Sequence, residues 1–107
     1  MLPNRINPRY RLILQYDIRL DMFDPYYEYI IKEFVPALQS MGLFMVAVWQ
    51  TTYGSYPARQ VDFVTENVET LRDMLGSDRW QALENRLLSY TENYQRKTVR
   101  YRSGFQF

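Results

Sequence analysis

A chain of 107 residues, 47% apolar and 23% charged, has the makings of one domain around one core, and its net charge of +1 gives no field to hold nucleic acid or an anionic membrane. It contains no histidine and no cysteine, which removes the commonest general base, the thiol nucleophile and the preferred ligands of zinc, copper and haem iron. No metal, cofactor or disulfide is therefore expected, and any chemistry falls to carboxylates, tyrosines, arginines and hydroxyls. The longest apolar run, Leu43 to Trp49, is far short of the roughly 20 residues that span a bilayer, so no membrane span is expected. Met1 to Arg5 lacks the apolar centre of a signal peptide, and a cytoplasmic location is the expectation.

Residues 1–8 carry Pro3 and Pro8 and little apolar content, so they read as an arm, with the single domain spanning 9–107. From Tyr10 to Leu20 the even positions are apolar or aromatic, while Arg9, Arg11, Gln15, Asp17 and Arg19 occupy odd ones; such alternation predicts a strand with one dry and one polar face. Asp24-Pro25 then predicts a helix start with aspartate as N-cap. Tyr27, Ile30, Ile31, Phe34, Leu38 and Met41 recur at helical spacing up to Gly42, with a kink expected at the interior Pro36.

Leu43 to Thr52 and Arg59 to Thr65 are predicted strands, joined as a hairpin by a four-residue turn at Gly54-Ser55-Tyr56-Pro57. Asn67 caps a short helix that stops at Gly76. Ser77-Asp78, with Gln81 three residues after Asp78, opens a longer one whose apolar face carries Trp80, Leu83, Leu87, Tyr90 and Tyr94. Thr98 to Phe107 reads as a last strand, with Arg100 and Arg102 on one side.

The order β-α-β-β-α-β predicts an α+β, ferredoxin-like fold, an antiparallel sheet with its helices on one face. The Leu43–Trp49 strand falls at a sheet edge yet is apolar on both faces, which calls for cover on each. A second copy of the chain is the expected cover, making a homodimer; the alternative is that Phe105-Gln106-Phe107 folds back. RNA-recognition modules share this topology but stack bases on aromatics of the central strands, where this chain has arginine and aspartate, so nucleic-acid binding is not expected.

Three stretches resemble the dimeric α/β-barrel superfamily, and within it the NIPSNAP-like proteins. They are Tyr16-Asp17-Ile18-Arg19 in the first strand, Met45 to Gly54 with tryptophan before a glycine turn, and Ser77-Asp78-Arg79-Trp80 at the start of the last helix. The resemblance implies two sheets packed face to face as a dimeric barrel, helices outside, and a cavity in each protomer. The activities it implies are those of cofactor-independent monooxygenases or small isomerases and lyases. The haem-degrading relatives are a poorer match, since the chain has no histidine and Val61-Asp62-Phe63-Val64 lacks their aromatic-rich third strand.

Arg11, Gln15, Asp17 and Arg19 share a face of a central strand, where charges must be paired or wet. One reading is a structural ion network, with Asp17 held by Arg19 and by Arg100 or Arg102. The other is a polar pocket between sheet and helices for a small aromatic or unsaturated anion, bordered by Arg11, Arg19, Trp49, Tyr53 and Arg100, with Asp17 as the base. A homodimeric interaction protein without a functional pocket is the alternative in function.

Overall fold

The computed structural model describes residues 7–53 and 56–100, and the side chains of 52, 53, 56 and 57 lie outside the described set. Strand β1 runs Tyr10–Ile18. It ends before the expected Leu20, which sits in the following turn and is 88% exposed. Helix α1, Phe23–Tyr29, is preceded by Met22 as N-cap without a side-chain cap, so the aspartate expected there, Asp24, lies inside the first turn. In that position its charge still complements the helix dipole.

The helix continues through a π-turn, Ile30–Phe34, into α2, Val35–Ser40. Pro36 explains the irregularity. It has no N–H to give to the preceding turn, and the widened turn just before it, closed by Val35 N–H to the Ile30 carbonyl, accommodates the missing bond. Gly42, at φ 91°, then stops the helix. Its N–H reaches the Gln39 carbonyl at 3.0 Å, and Leu43 N–H reaches the Leu38 carbonyl at 2.9 Å, a Schellman ending. A side chain at this glycine would meet the Thr70 methyl 2.7 Å away, so both the conformation and the space require its absence.

Strands β2, Phe44–Tyr53, and β3, Tyr56–Thr65, pair to their last residues, Tyr53 opposite Tyr56. The connection is thus two residues where four were expected. Helix α3, Val68–Leu75, is capped by Asn67, whose side chain accepts from Thr70 N–H. Helix α4, Asp78–Tyr90, is capped by the Ser77 hydroxyl accepting from Trp80 N–H. Asp78 is therefore a first-turn residue, and Gln81 N–H bonds the Ser77 carbonyl as an ordinary helical donor.

The last strand departs most from expectation. Strand β4 is Thr91–Arg100, beginning where α4 stops, so Tyr94 belongs to the sheet and not to the helix. Thr91 is already extended and buried, and its hydroxyl donates to the Leu87 carbonyl. Arg19 N–H takes the Tyr90 carbonyl at 3.0 Å. Tyr101 to Phe107, including the proposed Phe105–Phe107 cover and Arg102, lie outside the described residues, as does most of the expected N-terminal arm.

The four strands form one sheet in the order β2-β3-β1-β4, antiparallel at every junction, which is the ferredoxin-like plan with β2 at an edge. Leu12, Leu14 and Tyr16 of β1 and Val61 and Phe63 of β3 turn to one face, where Phe34, Leu38, Trp80 and Leu87 of the helices complete a buried cluster. Each such side chain contributes roughly 1.5–3 kcal/mol on burial.

Candidate functional site

The space between sheet and helices is filled by aromatics. Tyr16 and Tyr26 share a hydrogen bond between their hydroxyls, and Tyr94 stacks on Tyr16 with ring centres 6.2 Å apart. Tyr94 donates to Glu84 at 2.7 Å; Glu84 also pairs with Arg96 at 3.3 Å, whose guanidinium lies over the Trp80 ring. Tyr29 donates to the Leu83 carbonyl at 2.7 Å. Burial drives these phenols away from ionisation: it raises Tyr26 to about 12, and raises Tyr16, Tyr29 and Tyr94 further. Neutral, hydrogen-bonded and packed, they hold the helices to the sheet and offer no acid–base group near neutral pH.

The opposite face of the sheet is built differently. Cross-strand partners place Trp49 of β2, Gln60 of β3, Gln15 of β1 and Gln95 of β4 in one row. Gln15 Nε2 donates to Gln60 Oε1 at 2.8 Å, and Gln60 Nε2 donates to Asp62 Oδ1 at 3.1 Å. Arg11 Nη1 reaches Asp62 Oδ2 at 3.3 Å. Asp62 is 1% exposed, so this carboxylate is a buried charge held by its partners. Since a carboxylate only accepts, Asp62 forces Gln60 to turn its amide nitrogen toward it and its oxygen toward Gln15, which fixes both amides.

At the β2–β3 end of this face lies an open groove of about 420 Å³, lined by Gln15, Trp49, Gln50, Thr51, Ala58, Arg59 and Gln60. Trp49 is half exposed. Arg59 borders the groove, but its side chain shares a face with Tyr16, its cross-strand partner, and turns to the helix side of the sheet. Its guanidinium lies 5.1 Å from the Tyr27 ring centre and donates through Nη2 to the Tyr27 hydroxyl and, at 2.7 Å, to Gln50 Oε1.

The residues expected to border a pocket are thus partly gathered and partly dispersed. Trp49 lines the groove, and the side chain of Tyr53 is outside the described set. Asp17 stands two positions beyond Gln15 on the same strand face, where its Oδ2 accepts from Asn93 at 2.8 Å. Arg11 is six residues along the strand from Asp17, on the order of 20 Å, and serves Asp62. Arg19 lies beyond β1 and faces Glu92 at 3.9 Å, an exposed pair of little energetic weight.

Arg100 is opposite Tyr10, at the far end of β1 from Asp17, because an antiparallel β4 that begins at Thr91 puts Glu92 beside Asp17. The expected network of Asp17 with Arg19 and Arg100 is therefore replaced by Asp17–Asn93, Arg19–Glu92 and Arg11–Asp62. The sequence reading passed over Gln60, Asp62 and Arg59. The signal for the first two was present: in Arg59 to Val64, Gln60 and Asp62 alternate with the apolar Val61 and Phe63. Among the described residues no three carboxylates gather as a metal site, and no helix is long and apolar enough to cross a membrane.

No protein-family model and no curated protein matches this chain. Solved structures do. A NIPSNAP family protein of unknown function from Agrobacterium tumefaciens is 12% identical, with a TM-score of 0.63 over 92% of this chain and 93% of the other. A second NIPSNAP family protein from that organism is 16% identical, with a TM-score of 0.63 over 91% of this chain and 95% of the other. A protein from Deinococcus radiodurans, provisionally assigned as an antibiotic biosynthesis monooxygenase, superposes with a TM-score of 0.67 at 6% identity, over 92% of this chain and 97% of the other. The class defined is an α+β protein of ferredoxin-like fold. More narrowly, the fold is that of the NIPSNAP-family structures, as the motifs at 16–19, 45–54 and 77–80 imply.

Proposed function

We propose that the protein binds a small aromatic or unsaturated anion in the groove beside Trp49, and that two copies pack through their helix-free faces to wall it in. The carrying observation is a half-exposed tryptophan beside two fixed glutamine amides in an open groove. An indole face takes a flat ligand by stacking, and fixed amides orient its polar groups. Dimerisation answers the exposure of Val46, Val48 and Trp49 on edge strand β2, of which Trp49 belongs to the helix-free face. For proton transfer to a bound ligand the candidate is Asp17, beside Gln15 on that face, with one carboxylate oxygen held by Asn93. Within the groove itself the recognition groups are Trp49, Gln15 and Gln60.

The test is a thermal-shift screen of aromatic carboxylates and phenols against neutral aliphatic controls. Binding to the folded state raises the melting temperature by mass action, so an aromatic acid at about a hundred times its Kd adds about 2.7 kcal/mol of stability. A melting temperature that moves with no aromatic compound contradicts the reading.

A further inference from the structure

The helix-free face of the sheet carries its charges in a pattern. Its middle row, Trp49, Gln60, Gln15 and Gln95, has none. Among the described residues of the strands, the charges on this face are Arg11, Asp17, Asp62, Glu92 and Lys97. Arg11 and Asp62 offset each other at 3.3 Å. That leaves Asp17 and Glu92 at one end and Lys97 at the other. Asp17, directly opposite Glu92, lies two positions along β1 from Gln15; Ile13, directly opposite Lys97, lies two positions the other way. The carboxylates and the ammonium thus flank the uncharged row at equal offsets, roughly 7 Å to each side.

Two like charges directly opposite on neighbouring strands repel. Within the chain the relief is slight. Asn93 donates to Asp17, and Arg19 stands 3.9 Å from Glu92, an exposed pair. Lys97 is exposed on the same strand as Glu92, but five residues of extended chain, about 16 Å, keep the two apart.

A second copy turned end for end brings them together. Residues on a two-fold axis face their own copies, so a charge placed there meets itself. The uncharged row suits such an axis, because indoles stack and amides both donate and accept. An axis along this row, across the strands, reverses strand direction and lays β4 over β4 of the other copy. The anionic end of each face then lies on the cationic end of the other. The angle of roughly 30° between packed sheets displaces an outer strand by about 4 Å, which a lysine side chain spans. An axis running along the strands instead sets carboxylates on carboxylates, which is costly.

We infer that the two copies pack about an axis along the Trp49–Gln95 row, and that the partner's Lys97 closes over Glu92 and Asp17. This rests on the face-to-face dimer proposed above and adds its orientation. It also makes each site a shared one: the cation beside Asp17, the residue proposed for proton transfer, comes from the other copy.

The experiment is sedimentation of the full chain over a range of concentrations, for the wild type, Glu92→Lys, Lys97→Glu, the double variant, and an equimolar mixture of the two single variants. Each single variant sets like charges against each other twice per dimer, so its dimer dissociation constant is expected to weaken about tenfold or more. The mixture pairs unlike charges again as a heterodimer, and the double variant does so with itself; both are expected within about threefold of the wild type. Melting curves show that the variants are folded, and the double variant carries the comparison where a single one is not. Single variants that dimerise like the wild type, or a mixture and double variant no tighter than the single variants, overturn this axis and leave the face-to-face dimer standing. A wild type that sediments as a single chain throughout overturns the dimer and this inference with it.

Discussion

Raising the pH from 10 to 12 is expected to unfold this protein cooperatively. Tyr16, Tyr26 and Tyr29 are buried, and burial lifts their hydroxyls above the ordinary value of 10.0, to about 12 for Tyr26 and further for the other two. Below pH 10 both folded and unfolded chains keep these protons, and the packing they support is intact. Above pH 10 the unfolded chain releases protons that the folded chain still holds. Stability then falls by about 1.4 kcal/mol per pH unit for each such phenol, until the folded value is passed. Three of them acting together exhaust the 5–15 kcal/mol typical of a domain within a few pH units. Circular dichroism and tyrosinate absorbance recorded on the same alkaline titration should change together. Tyrosines that all titrate near pH 10 while the helix signal stays flat would contradict the packed network.

In the proposed dimer, replacing Trp49 with lysine is expected to separate the two copies. Trp49 lies on the helix-free face of edge strand β2, half exposed in the single chain, which is where a large aromatic becomes an interface anchor. A lysine ammonium there loses its hydration in the interface and finds no carboxylate among the groove's lining residues. Central aromatic anchors contribute 2 kcal/mol or more, so the dimer dissociation constant should weaken about thirtyfold or beyond. Light scattering after size exclusion is expected to give twice the 13.0 kDa chain mass for the wild type and the single-chain mass for Trp49→Lys at low micromolar concentration. A wild type that elutes as one chain at that concentration removes the dimer from the proposal.

How much of this was legible in the sequence depends on where each signal lay. β1 was readable because Leu12, Leu14 and Tyr16 alternate with polar residues, and the stop at Gly42 because only glycine sits easily at positive φ after a helix. β4 was misplaced because Thr91 to Lys97 is polar at nearly every position. Its pairing is imposed by β1 and by the core contact of Tyr94, and neither is local. That error carried into the site, since the register of an antiparallel strand decides which arginine stands beside Asp17. Asp62 was missed for a related reason: nothing local says that a lone aspartate between Val61 and Phe63 meets Arg11, 51 residues away. Arg59 reads as a surface charge at the foot of a hairpin until α1 is seen to lay Tyr26 and Tyr27 against it.

The most direct test of the groove is the emission of its own tryptophan. The chain has two: Trp80 is 2% exposed in the core, and Trp49 is 50% exposed in the groove. A ligand stacked in the groove must change the second and spare the first. Titration with an aromatic acid that raises the melting temperature is predicted to quench and shift wild-type emission, while Trp49→Phe, which keeps only a smaller ring to stack on, shows a reduced thermal stabilisation with no change in emission. Thermal stabilisation of the wild type with tryptophan emission unmoved would place the ligand elsewhere and contradict the account.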